Sequence, residues 1–225
     1  MAHELTSHVL EVLAYGLNLK ERVLGGESVM LDSENAKLKS MLWADGAVRG
    51  HPDYGDNVPR PVQPTSTDFL GVRYALATWL DEIFINDVAA TNGRWSRAWK
   101  EKSLEAELYG GGQERAWRFW LQADLAEKRP GAEAVEAFLW CVMLGFRGDP
   151  GILNPPEWVE RVRRRVITSH QQEFRMPADL GMKTNVPALR GRDRFRTAGR
   201  MLMLVAAAGL FAGAAVLAQY LSKTD

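Results

Sequence analysis

Apolar residues recur at helical spacing along nearly the whole chain, and no run alternates them with polar residues between hairpin turns. Leu5, Val9, Val12, Leu13, Leu17 and Leu24 predict an amphipathic helix over residues 4–24, stopped by Gly25-Gly26. A second helix opens at Asp32 or Ser33, with Leu38, Met41, Leu42 and Val48 as its stripe. Residues 49–66 hold Pro52, Pro59, Pro61 and Pro64 with Gly, Asp and Asn and read as a long loop. Thr65, Ser66 and Thr67 offer caps for an apolar helix that runs to about Asn86 and reads as the centre of the core. At about 100° per residue from Arg73, Thr78, Asp81 and Glu82 share one side of it, which predicts that Asp81 and Glu82 reach the surface there. Further helices follow over residues 96–109, 113–128 (with Trp117, Trp120, Leu121 and Leu125 on one face), 132–144 and from Asn154-Pro155 to about Phe174. The fold class is all-α, with about seven helices before the last segment and no internal repeat.

That last segment, Met201 to Leu221, is 21 residues without a charge. As a helix it covers about 31 Å, the thickness of a bilayer's hydrocarbon core. A buried core helix of that length usually carries a polar face. The expected division is a helical domain over 1–175, a basic juxtamembrane linker over 176–200, a transmembrane helix over 201–221 and a tail over 222–225. Between Arg161 and Arg200 stand 11 Lys/Arg against 3 Asp/Glu, and Arg190, Arg192, Arg194, Arg196 and Arg200 crowd against the apolar run. The positive-inside rule places the large domain in the cytoplasm and the C-terminus across the inner membrane. Such a cluster could bind nucleic acid, but its place beside the span favours anionic lipid head groups and topology.

The overall charge of zero hides an asymmetry, because residues 1–160 carry 16 Lys/Arg and 24 Asp/Glu. An acidic distal surface disfavours nucleic acid and suits a partner with a basic patch. The single cysteine, Cys141, permits no intramolecular disulfide and sits in an apolar run, as a small buried hydrophobe does. His3, His8, His51 and His170 have no metal-ligand spacing, and there is no nucleophile elbow, P-loop or dinucleotide fingerprint. Asp81 and Glu82 are adjacent and diverge on a helix, so they cannot converge on one reacting group. They read either as two solvated carboxylates or as a charged docking point. Gly110-Gly111-Gly112 reads as a connection rather than an anion cradle. Gly209 and Gly213 form a G-x-x-x-G inside the uncharged run, a spacing that lets membrane helices pair. No catalytic residue, cofactor or metal site is expected.

Arg73-Tyr74-Ala75-Leu76, then Leu80-Asp81-Glu82 and Asn86, resembles the signature helix of the DotU/TssL (IcmH) family. Trp95, Trp99, Ser103-Leu104, the glycines at 110–112, Trp117, Phe119, Trp120 and then Leu144-Gly145-Phe146-Arg147-Gly148 follow in the family's order. The chain departs at Asn92-Gly93-Arg94-Trp95 and at Asp149-Pro150, two loops that would therefore meet partners differently. The resemblance is to the short form, without a peptidoglycan-binding domain. It implies a structural, non-enzymatic inner-membrane subunit of a type VI or type IVB secretion system. It also implies a hook of two small helical bundles, a homodimer or larger self-assembly, and partners in an IcmF/TssM-like inner-membrane protein, an outer-membrane lipoprotein and baseplate proteins. Asp81 and Glu82 gain weight as a docking or structural pair from the same resemblance.

Overall fold

The structure is a computed structural model that describes residues 2–43, 46–55, 68–110, 115–149 and 154–173, all within the compact unit Met1–Arg175. The expected membrane helix 201–221, Gly209, Gly213, and Arg190, Arg192, Arg194, Arg196 and Arg200 lie outside the described residues. Among the described residues there is no strand, and no helix is long and apolar enough to cross a membrane. Helix α1 spans Ala2–Leu24, α2 Leu31–Leu42, α3 Gly46–Arg49, α4 Val72–Glu82, α5 Gly93–Glu101, α6 Leu104–Tyr109, α7 Arg115–Glu127, α8 Glu133–Met143 and α9 Pro155–Glu173, with a π-helical turn over Ile83–Asp87.

Every residue of α4 is buried. It packs against α1, α2, α6, α7 and α8, and continues into the π turn that meets α5. Helix α1 packs against both α2 and α3, and α8 packs against both α7 and α9. The core does not break between these groups, because their buried apolar side chains form one connected cluster through α4. On α1, Gly16 lets the two helices touch: a Cβ there would fall 2.6 Å from Leu80 Cδ2 and 2.8 Å from Trp79. Around α7 to α9 the packing is aromatic, with Phe119 stacked on Phe146 at 3.7 Å and Trp120 edge-on to Trp158 at 5.6 Å.

Two boundaries and one helix phase differ from the sequence expectation. Helix α4 begins at Val72 rather than near Thr67, because Gly71 has φ 87° and breaks the helical path. The caps come from elsewhere: Val72 N–H donates to Asp53 O and Arg73 N–H to Tyr54 O, both at 2.9 Å. The start of the Pro-rich loop therefore closes the N-terminus of the central helix. A Cβ on Gly71 would sit 2.3 Å from Tyr54 O, so only glycine fits there. The expected helix 96–109 is two helices. Asn92 caps α5 by accepting from Trp95 N–H at 3.1 Å, and Ser103 caps α6 by accepting from Ala106 N–H at 3.3 Å. Finally, α7 is rotated from the expected phase. It buries Phe119, Trp120, Gln122, Ala123 and Ala126, while Trp117 is 41% exposed.

Candidate functional site

The polar side chains that α4 sends inward converge on the α5–α6 segment. Asp81 is 0% exposed, and the surface position expected for it is not the one the fold adopts. Its Oδ1 accepts from Trp99 Nε1 and from Leu104 N–H, each at 2.9 Å, and its Oδ2 accepts from Glu105 N–H at 2.8 Å. One carboxylate thus fixes the indole of α5 and the first two amides of α6, while Ser103 takes the third. A helix wheel drawn on α4 alone gives Asp81 to solvent, but three donors from 18 to 24 residues further on replace that solvent. Glu82, 7% exposed, lies beside it in the same interior.

About two turns earlier, the same helix makes parallel links. The Tyr74 hydroxyl donates to Glu105 Oε1 at 2.7 Å, and Arg73 Nε donates to Tyr109 Oη at 3.1 Å. The Arg73 guanidinium also lies 4.9 Å over the Trp43 ring. Burial, and then the Glu105 charge, push the Tyr74 hydroxyl far above its ordinary range, so it remains a donor. Arg118 is buried within electrostatic reach of that hydroxyl. Cys141 is buried as expected; its Sγ approaches Ala75 O at 3.8 Å, and burial raises its thiol well above the usual range.

Helix α5 is tied at both ends as well. Ser96 Oγ donates to Ile85 O of the π turn at 2.6 Å, and Asn35 Nδ2 of α2 donates to Lys102 O at 3.0 Å. Trp95 and Trp99 stack inward with centroids 6.3 Å apart. The Leu144-Gly145-Phe146-Arg147-Gly148 element is likewise a packing device. Phe146 lies on Phe119, Trp120 Nε1 donates to Arg147 O at 2.9 Å, and Asp149 N–H donates to Ala116 O at 2.7 Å.

No group of three or more His, Cys, Asp or Glu is placed to hold a metal among the described residues. His8 faces Tyr54 and His170 faces Glu136. The arrangement brings Asp81 into a structural network and leaves its donors and acceptors occupied, so its chemistry is anchoring. The sequence reading missed Arg73, Glu105, Arg118 and Gln122 as buried polar residues. Arg73, alone among apolar neighbours at the start of α4, was the one legible signal.

Residues 63–222 match the family model described as type VI secretion system protein DotU. The chain belongs to that family. The match runs from just before α4 to the end of the uncharged run, so it takes in the anchoring network and the Phe146 element together. No curated protein and no solved structure matches the chain. As a DotU-family protein it is a secretion-system component, and the family is a structural one.

Proposed function

We propose that this protein is the inner-membrane subunit of a type VI secretion system, anchoring the baseplate and tail apparatus to the envelope. The observation that carries the reading is the family match over residues 63–222, whose description names the type VI system. The uncharged run 201–221 would supply the anchor, with Gly209 and Gly213 at a self-packing face. Arg190, Arg192, Arg194, Arg196 and Arg200 would hold the cytoplasmic side against anionic lipid. The helical unit would then face the baseplate from the cytoplasm beside an IcmF/TssM-like protein, with the outer-membrane lipoprotein reached through the complex. Its action is mechanical: the buried network holds the surface helices in one arrangement. In this reading Asp81 serves partner capture by placing α5 and α6, since its carboxylate is enclosed.

Two measurements test the proposal. Tagged protein extracted in mild detergent should bring down an IcmF-like membrane protein and baseplate proteins, identified by mass spectrometry. In intact cells a Ser222→Cys variant should react with a membrane-impermeant maleimide, against a silent background because Cys141 is buried. Recovery of the protein alone, or a tail protected from the reagent, would overturn the scaffold role or the topology respectively.

A further inference from the structure

The acidic balance of residues 1–160 is reversed on the exposed side of α5, where three cations outnumber the one carboxylate, Glu101. Arg94, Arg97 and Lys100 are all exposed on this nine-residue helix, while Trp95, Ser96 and Trp99 occupy its buried side. Arg97 Nε reaches only the carbonyl of Gly93, at 3.2 Å. None of the three cations has a carboxylate at ion-pairing distance among the described residues. Elsewhere basic side chains are paired, as Lys20 is with Asp87, Lys39 with Glu107, Lys102 with Asp32 and Arg161 with Glu127. Arg147 is exposed by itself, and Arg164 is exposed on α9 beside Arg161 and Arg163, which pair with Glu127 and Glu160.

The placement is unfavourable for the isolated helix. Arg94 lies in the first turn, which carries no acid, so a cation stands where the helix dipole is positive. Three like charges within two turns also repel one another. Glu101, one turn after Arg97, offsets only part of this and is at ion-pairing distance from none of the three, whereas a negatively charged surface laid across α5 would offset the rest. The face is rigid, because its helix is held by Asp81, Ile85 and Asn35 through buried hydrogen bonds. A preorganised surface spends little entropy on binding. Beside it, a cleft of about 240 Å³ between α2 and α5 is lined by Met30, Leu31, Ala98, Glu101 and the ion-paired Asp32 and Lys102, and Met30 is 76% exposed. A net cationic face next to the exposed Met30 fits an acidic segment that also carries an apolar side chain.

We infer that the outer face of α5 is a docking surface for an acidic amphipathic segment of a partner protein, read by Arg94, Arg97 and Lys100 with Met30 at its edge. The buried Asp81 is then a positioning residue for that face.

The test uses the full chain purified in mild detergent and a fluorescein-labelled amphipathic peptide of about 18 residues, with Glu and Leu on opposite faces. Binding is read by anisotropy. Wild type should bind the peptide, more weakly as salt rises. The triple variant Arg94→Glu, Arg97→Glu, Lys100→Glu should lose about tenfold in affinity, a modest factor because each exposed pair contributes little alone. It should instead bind a Lys–Leu version of the peptide. The pair Arg147→Glu, Arg164→Glu should stay within about twofold of wild type. If the reversed triple fails to fold, the neutral triple to Gln carries the same comparison. Absence of peptide binding to wild type overturns the inference, and so does an equal loss in the Arg147–Arg164 pair. So does an α5-dependent affinity for an oligonucleotide or for anionic vesicles that exceeds the affinity for the peptide.

Discussion

Replacing Asp81 by Ala removes one carboxylate and strands three donors: the Trp99 indole, the Leu104 amide and the Glu105 amide. Each buried donor left without an acceptor costs about 1–3 kcal/mol. Against this, the variant no longer buries a carboxylate, which returns part of the loss. A net destabilisation of about 3–5 kcal/mol follows, a large share of the roughly 5–15 kcal/mol that holds a domain folded. Asp81→Asn is the finer probe. Its amide oxygen can still accept from Trp99 and Leu104, but its NH2 group then faces the Glu105 N–H, so one bond is lost and about 1–3 kcal/mol with it. Urea unfolding of the full chain in detergent, followed by tryptophan fluorescence, should rank wild type above Asp81→Asn above Asp81→Ala. Trp99 should also report a changed environment in the native state of both variants. An Asp81→Ala variant within about 0.5 kcal/mol of wild type, the scatter of ordinary surface substitutions, would refute the claim that this carboxylate anchors α5 and α6.

Gly71→Ala should destabilise by about 2–4 kcal/mol, since φ is 87° and the new Cβ would meet Tyr54 O at 2.3 Å, whereas Gly93→Ala, with open space around it, should be neutral or mildly stabilising in the same unfolding assay. His8 is held neutral by burial, its pKa lowered from 6.5, and its Nε2 lies 3.0 Å from a Tyr54 hydroxyl whose own proton goes to Leu42 O. The unfolded chain therefore takes up this proton at a higher pH than the folded one. His8 contributes stability above about pH 6.5 that is lost as pH falls from there toward the folded-state value. Midpoints measured from pH 8 to 5 should fall more for wild type than for His8→Gln; parallel curves would refute the assignment. Cys141 is fully buried with a raised thiol, so native protein should react with a maleimide at least about 100-fold more slowly than protein in denaturant, read by mass.

Helix positions, the all-α class and α4 as the centre of the core were legible in the sequence, because apolar spacing and Gly, Pro and Asn punctuation are local signals. The family was legible too, from Leu80-Asp81-Glu82 and Leu144-Gly145-Phe146-Arg147-Gly148, and the match over 63–222 assigns the same one. What failed was everything that depends on a second segment. A helix wheel puts Asp81 at the surface because its donors come from α5 and α6. The break before Ser103 is hidden because Glu101 and Lys102 suit a helix. The phase of α7 is hidden because Gln122 does not look like a core residue until it is seen holding Leu70 N–H at 2.7 Å and Asp68 O at 2.8 Å. The acidic balance of residues 1–160 concealed the cationic face of α5, since a net charge carries no information about where charges lie.

The arrangement separates two jobs that a signature motif tends to merge. Helix α4 has no exposed residue, so no side chain on it can touch a partner while the unit is folded. Its Arg73 and Tyr74, and Asp81 about two turns further on, instead reach the α5–α6 segment. An apolar α4 would bury as much surface, but it would leave α5 and α6 free to choose among neighbouring registers; directional bonds select one. Substitutions in α4 and on the outer face of α5 should therefore both weaken capture of a partner, but by separable routes. The first should lower stability along with binding, and the second should lower binding at unchanged stability. If Asp81→Asn weakens binding without moving the unfolding midpoint, the carboxylate acts on the partner directly, and the division of labour between anchor and face is wrong.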